Sequence, residues 1–366
     1  MFVLQQSVCH EPLIGVLVGE GVGPEVVPAA LELLGPLCDW SGRRFAIRHG
    51  GSIGRAALAQ GQPCLSREVT DFVTEIFDVG GVLFCGPGSD RFVYELRARF
   101  DLYCKLVPLQ PQAVLADLGP LQAQRIAGVD ILVVRENSGG IYQGSWSVQG
   151  EAGRRVARHE FQYREQDVDR ILDAALALAN TRRKQLCVVV KEAGVPSISA
   201  LWSERARSLS ATAGGELTLL DIDNAVFQLI ADPARFDVIV SPNMFGDVLA
   251  DAGAALLGSR GLSYSGNFGL AGRAAYQTGH GAAWDIAGQD RANPLAQMLS
   301  LAMMLEQSFA WAEGASLLRR AITAALENGA RTHDIAQPGC EVLGTRAMTA
   351  RVRQQLETLL SLQPVA

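Results

Sequence analysis

The chain has 366 residues, too many for one simple core, and fits either two domains or one large α/β unit. Its 48% hydrophobic and 19% charged residues are those of a globular protein, which excludes disorder. A formal net charge of −6 without any basic block argues against a nucleic-acid or anionic-membrane surface; a solvated acidic exterior explains it better.

The opening "MFVLQQSVCHEP" lacks a basic region and a long apolar core, so it does not read as a secretory leader. No uninterrupted apolar run reaches the roughly 18 residues of a membrane span. Next, "LIGVLVGEGVGPEVVPAALELLGPL" reads as an apolar strand, a turn through Gly19, Gly21, Gly23 and Pro24, then an amphipathic helix. The turn is not G-x-G-x-x-G with a distal acid; a dinucleotide site and a tight turn without ligand are both open. Further apolar runs at 80–86, 130–136, 185–192 and 237–243 predict buried strands. "EQDVDRILDAALALANTRRK" and "PLAQMLSLAMMLEQSFAWA" predict helices. Strands alternating with helices favour a mainly parallel, helix-covered sheet.

The seven cysteines (Cys9, Cys38, Cys64, Cys85, Cys104, Cys187, Cys340) show no C-x-x-C spacing, and most lie in apolar contexts. They read as buried, reduced thiols. The five histidines form no zinc pattern. A cytoplasmic protein is expected.

In "NMFGDVLADAG", Asp247 and Asp251 stand four apart, on one face of a helix. Two like charges so placed repel unless something lies between them. An acidic face turned to solvent is one answer, a bound cation the other.

Four stretches occur in order: "VGEGVGPEVV", "VVRENSGGIYQG", "SPNMFGDVLADAGAALLGSRGL" and "GHGAAWDIAGQDRANPLAQMLSLAMML". So arranged, and with "RTHDIAQPGCEVLGTRAMTARV" near the end, they resemble the β-decarboxylating dehydrogenases that act on isopropylmalate, isocitrate, homoisocitrate and tartrate or malate. The resemblance implies an isopropylmalate-dehydrogenase-like two-domain α/β fold with a continuous, mostly parallel sheet. Residues 1–103 plus 258–366 would form a large domain, with 104–257 inserted as a small one. It also implies a homodimer with shared active sites and a small 2-hydroxy acid as substrate.

By the same resemblance, Asp247, Asp251 and a partner-contributed Asp223 would hold Mg²⁺ or Mn²⁺, hard cations that favour carboxylate oxygens. Tyr142 matches the acid that protonates the enolate after CO₂ leaves, and Lys191, supplied by the partner, the group that takes the hydroxyl proton. Burial and nearby cations are expected to lower the Lys191 pKa. Arg97 and Arg135 match carboxylate-binding arginines. His280, Gly281, Ala282, Asp285, Ile286 and Asn293 match the segment around adenosine. The Asp285 carboxylate suits ribose hydroxyls and repels a 2′-phosphate, which favours NAD.

Four departures stand out. Val107 occupies the place of a further arginine, with Lys105 two residues earlier on the same strand face. The catalytic lysine falls on Lys191 or on Glu192 according to where one extra residue lies; an insertion sits more easily in the "AGVPS" loop, which favours Lys191. The positions that read the substrate's third group hold Asp90, Arg91, Val93 and Tyr94, so Arg91 hints at a polar or anionic substituent. Gln277-Thr278-Gly279 replaces the family's Glu-Pro-Val. The sequence therefore predicts an NAD- and metal-dependent oxidative decarboxylase of a 3-substituted malate. The alternative is a weak or inactive paralogue that regulates or assembles with an active subunit.

Overall fold

In the computed structural model, residues 12–213 and 216–363 are described. Cys9 and most of the opening segment discussed above lie outside them. The strands are β1 (Leu13–Leu17), β2 (Ala46–His49), β3 (Val82–Cys85), β4 (Cys104–Leu109), β5 (Ile131–Glu136), β6 (Ser145–Gln149), β7 (Val156–Glu160), β8 (Gln185–Val190), β9 (Glu216–Asp221), β10 (Val238–Ser241), β11 (Tyr264–Phe268), β12 (Ala274–Thr278), β13 (Ala330–Arg331) and β14 (Glu341–Val342). The helices are α1 (Gly23–Leu31), α2 (Leu34–Ser41), α3 (Gly54–Ala59), α4 (Arg67–Asp78), α5 (Phe92–Arg99), α6 (Ala123–Ile126), α7 (Glu165–Asn180), α8 (Pro196–Ala213), α9 (Ile222–Ala231), α10 (Asn243–Gly253), α11 (Leu295–Gln307), α12 (Ala312–Glu327) and α13 (Thr345–Ser361).

Ten strands join in one sheet in the order β2-β1-β3-β12-β11-β4-β5-β10-β8-β9. The apolar runs fill its interior: β3, β5 and β10 are buried along their whole length, as expected of strands covered on both faces. The more polar β2 and β9 take the edges. Parallel pairing prevails, but β4–β5, β4–β11 and β11–β12 are antiparallel and join the two halves of the sheet. The fold is thus the mostly parallel, helix-covered α/β sheet expected.

Helices cover the sheet by their apolar faces. In α4, Ser66 caps the first turn by accepting from the Val69 amide, and Val69, Val73, Ile76 and Phe77 turn inward at helical spacing. In α11 every residue from Leu295 to Leu305 is buried, between α12 and strands β11 and β12. The run predicted as one helix over 294–312 ends at Gln307; the chain turns through Ala310 (φ 49°) and restarts as α12. The hairpin β6–β7 stands apart from the sheet. All its strand residues are exposed, Trp146, Val148 and Val156 among them. Cys64, Cys85, Cys104 and Cys187 are buried and Cys38 and Cys340 half-buried, all as free thiols.

Candidate active site

The Asp247–Asp251 pair lies on α10, which crosses the end of β5. Gly246 makes the crossing possible: a Cβ there would meet Arg135 Cβ at 2.7 Å and Cγ at 2.8 Å. Arg135 leaves β5 beneath the helix, 2% exposed. Its Nε and Nη2 donate to Asn243 Oδ1 at 3.0 and 2.8 Å, and its Nη1 pairs with Asp247. Tyr142 Oη donates to the other Asp247 oxygen at 3.0 Å. Asp251 faces Arg260, whose Nη2 lies 3.0 Å from both carboxylate oxygens. In this structure each aspartate thus holds a cation from its own chain.

Arg97 from α5 and Lys105 from β4 complete a buried cluster, 5% and 6% exposed. Lys105 lies directly opposite Arg135 across the β4–β5 pair, while Val107 opposes Val133. Neither the Arg97 nor the Lys105 side chain has a hydrogen-bond partner among the described residues, so both remain free to meet an anion. Burial and then Arg135 bring Arg97 down to about 9. Burial, Arg97 and Arg135 hold Lys105 well below an ordinary lysine, against the pull of Asp247 and Asp251. Tyr142 is not acidified as its expected role would ask: burial and the Asp247 carboxylate push it up to about 12.

Lys191 follows β8 directly, and its Nζ lies 2.6 Å from Asp223 and 3.3 Å from Asp221. Glu192 turns the other way, toward Ser203 and Arg207 on α8. The hydrogen bond that Lys191 Nζ donates to Asp223 raises the Lys191 pKa, because within one chain its neighbours are carboxylates, not the cations expected around it. Arg91 and Tyr94 flank Tyr142. Arg91 Nη2 donates to the Tyr142 carbonyl at 3.1 Å, and the Tyr94 and Tyr142 rings are 5.2 Å apart.

Among the described residues, no three His, Cys, Asp or Glu side chains of one chain converge to hold a metal. Asp247 and Asp251 offer hard oxygen donors on one helix face and already neutralise cations, which suits Mg²⁺ or Mn²⁺. A third carboxylate would have to come from elsewhere.

The glycine-rich turn after β1 has a structural task. Glu20 is buried and accepts from Ala56 and Ser89 amides at 2.8 and 2.9 Å. The Val22 amide donates to the Ala282 carbonyl at 2.9 Å. Gly21, at φ +58°, must be glycine because a Cβ would collide with that same carbonyl. Glu25 accepts from the Gly288 and Asp290 amides at 2.7 and 2.9 Å. The turn thereby shapes a pocket of about 570 Å³ lined by His280, Gly281, Ile286, Asn293, Arg260 and Asp334. Asn293 Nδ2 donates to Asp334 at 3.0 Å, and its Oδ1 accepts from the Leu295 amide at the start of α11. Asp285 is exposed beside this pocket. Gln277 and Thr278 are buried on β12, and the Gly279 amide donates to the Ser263 carbonyl at 2.7 Å. Size and lining fit an adenosine moiety.

Sequence reasoning missed Asn243, Arg260 and Asp221. Arg260 carries no motif of its own, and Asp221 matters only because β8 and β9 pair in a register that sets Val190 beside it.

Comparisons with known proteins show the family and the fold. A family model described as isocitrate/isopropylmalate dehydrogenase matches residues 13–352. The 3-isopropylmalate dehydrogenase of Nostoc sp. is 38% identical over 351 residues, covering 92% of this chain and 95% of that one. That of Aquifex aeolicus is 36% identical over 357 residues, covering 94% and 97%. Among solved structures, isocitrate dehydrogenase from Methylococcus capsulatus superposes with a TM-score of 0.84 at 27% identity, covering 94% of this chain and 99% of that one.

Proposed function

The chain belongs to the isocitrate/isopropylmalate dehydrogenase family and is a decarboxylating dehydrogenase; from that premise we propose an NAD-dependent, Mg²⁺- or Mn²⁺-dependent oxidative decarboxylation of a 3-substituted malate. One observation carries the reading. Tyr142 and Arg135 meet on Asp247, beside two buried cations, Arg97 and Lys105, whose side chains lack hydrogen-bond partners among the described residues.

Arg97, Arg135 and Lys105 bind the substrate's carboxylates, with Tyr94 against its third group. Lys191 takes the hydroxyl proton of the substrate, and a bound NAD would accept the C2 hydride. The bond from C3 to its carboxylate then breaks to release CO₂, and Tyr142 returns a proton to C3. A divalent cation on Asp247, Asp251 and the partner-contributed Asp223 would stabilise negative charge on the C2 oxygen. His280, Gly281, Ala282, Ile286 and Asn293 would hold adenosine, and Asp285 would accept from the ribose hydroxyls.

Lys191 and Asp223 sit together but apart from the Tyr142 constellation, which supports a homodimer whose sites combine both groups. The exposed Trp146, Val148, Phe227 and Val248 supply apolar surface for such an interface. The strand order supports residues 1–103 plus 258–366 as a large domain and 104–257 as the insert. Free buried thiols support a reducing, cytoplasmic setting. No helix among the described residues is long and apolar enough to cross a membrane.

The test follows NADH formation with Mn²⁺, NAD and D-malate, tartrate, isocitrate, homoisocitrate, 3-isopropylmalate and phosphonate-bearing malates. Lys191→Met and Asp247→Asn should each be inactive. Refolded together, they should recover about a quarter of wild-type activity, because half the dimers are mixed and each mixed dimer has one intact site. No recovery would sink the shared site. No turnover with any substrate would favour the regulatory paralogue.

A further inference from the structure

A line of stacked side chains runs from the exposed hairpin to the buried cation cluster. His159 of β7 packs on Trp146 of β6, with centroids 5.8 Å apart and planes 24° from parallel. The Arg91 guanidinium lies 4.9 Å from the Trp146 ring and 5.0 Å from the Tyr94 ring. Tyr94 packs on Tyr142 at 5.2 Å, and Arg135 reaches the Tyr142 ring at 5.5 Å. Hydrogen bonds lock the line in place. Arg91 Nη2 donates to the Tyr142 carbonyl at 3.1 Å, and Gln143 Nε2 to the Tyr94 carbonyl at 3.0 Å.

Arg91 forms no ion pair among the described residues. What its environment uses is a flat face and a fork of donors, the two features that separate arginine from lysine. With rings within 5 Å and Nη2 engaged by a carbonyl, the guanidinium serves the protein rather than an incoming anion. The segment it holds is short: Tyr142 sits in a single 3-10 turn (Ile141–Gln143) after Gly140, whose φ of +76° bends the loop that follows β5. The turn's other side-chain ties are His159 on the Ile141 carbonyl and Gln143 on the Asn137 carbonyl, and Arg91 is the side chain that holds the Tyr142 carbonyl itself.

We propose that Arg91 is a positioning residue: clamped between Trp146 and Tyr94, it fixes the backbone of Tyr142 and so the place of the phenol beside Asp247. Its importance for turnover rests on the reading of Tyr142 as the proton donor to C3. Misplacing a reacting group by about 1 Å costs on the order of 100-fold in rate, so kcat rather than KM should carry the effect.

The test uses the full chain labelled with 3-fluorotyrosine and observed by ¹⁹F NMR, together with kinetics on 3-isopropylmalate, NAD and Mn²⁺. Tyr142→Phe identifies the Tyr142 resonance among the six tyrosines. Arg91→Ala should shift and broaden that resonance and lower kcat about 10- to 100-fold, with KM held within about twofold. Arg91→Lys should rescue neither, since an ammonium has no planar face. Trp146→Ala, which strips one face of the clamp, should move the resonance in the same direction and less. An unmoved Tyr142 resonance in Arg91→Ala overturns the proposal, whatever the activity. So does a raised KM with unchanged kcat, which would make Arg91 a substrate ligand. If Tyr142→Phe itself turns over at the wild-type rate while Arg91→Ala still moves the resonance, the positioning stands and the proton-donor reading fails.

Discussion

Lys105 stands directly opposite Arg135 on neighbouring antiparallel strands, both almost wholly buried. Like charges facing each other across a strand pair destabilise it, and burial adds a desolvation cost to each. Such a pair persists where an anion completes it. Asp247 pairs with Arg135, which leaves the Lys105 and Arg97 side chains without hydrogen-bond partners among the described residues.

Lys105→Met should therefore stabilise the unliganded protein by about 1 kcal/mol, since apolar replacement of a buried charge is often stabilising. The same variant should weaken polyanionic malates about tenfold, one charge-assisted contact. Thermal denaturation and KM for isocitrate read the two effects separately. A destabilised variant with an unchanged KM would show that Lys105 balances Asp247 and Asp251 and does not meet substrate.

Arg260 donates to both carboxylate oxygens of Asp251 and lines the pocket proposed for adenosine. A cation bound by Asp251 must displace that guanidinium. The pair is more than half exposed, so the competition is modest. Arg260→Ala should tighten Mn²⁺ binding about two- to fivefold in the absence of cofactor. Electron paramagnetic resonance of free Mn²⁺ measures this directly, and unchanged or weaker binding would remove Asp251 from competition with Arg260.

The parts of the fold legible in the sequence were those with one strong signal. Apolar runs became β1, β3, β5, β8 and β10 because a strand buried on both faces needs no alternation. Strands β11 and β12 carry no such run: Gly266, Asn267 and Gln277 interrupt them, and only pairing with β3 and β4 makes them strands. The spacing of Asp247 and Asp251 was readable, but the cations opposite them come from 112 residues upstream and 9 downstream. Lys191 against Glu192 hung on a single residue in a loop. In the structure Lys191 faces Asp221 and Asp223, and Glu192 faces α8. Arg91 read as a polar contact for substrate, because a sequence does not show that two rings close on it.

Gly21 makes the join between the first turn and the adenosine segment testable. Its φ of +58° strains any residue with a Cβ, and that Cβ would collide with the Ala282 carbonyl, a backbone atom unable to step aside cheaply. Gly21→Ala should cost about 1–3 kcal/mol of stability and raise KM for NAD more than KM for the malate. Gly42→Ala offers a control, because its φ of +71° is also positive but nothing lies within 4 Å of the added Cβ. If both variants lose stability equally and neither changes KM for NAD, the contact with Ala282 has no bearing on the pocket.

His280 gives the adenosine segment a pH dependence of known sign. Burial lowers its pKa below the ordinary 6.5, and Arg260 adds to the shift, while the Gly281 carbonyl and Asp334 oppose it. The unfolded chain then binds a proton below about pH 6.5 that the folded chain resists, so the unfolded state gains as pH falls. The stability contributed by neutral His280 is fully present above pH 6.5 and is lost as pH falls below it toward the lower folded value. Urea midpoints measured at pH 7.5, 6.0 and 5.0 should fall more steeply for the wild type than for His280→Asn, which cannot ionise. NADH affinity, read by fluorescence, should weaken over the same range in the wild type, because protonation keeps the Nδ1 bond to the Gly281 carbonyl but turns Nε2 from an acceptor into a second donor. Parallel urea midpoints for the two proteins would mean that His280 is as readily protonated in the fold as out of it, and the pH response would then have to come from the carboxylates around it.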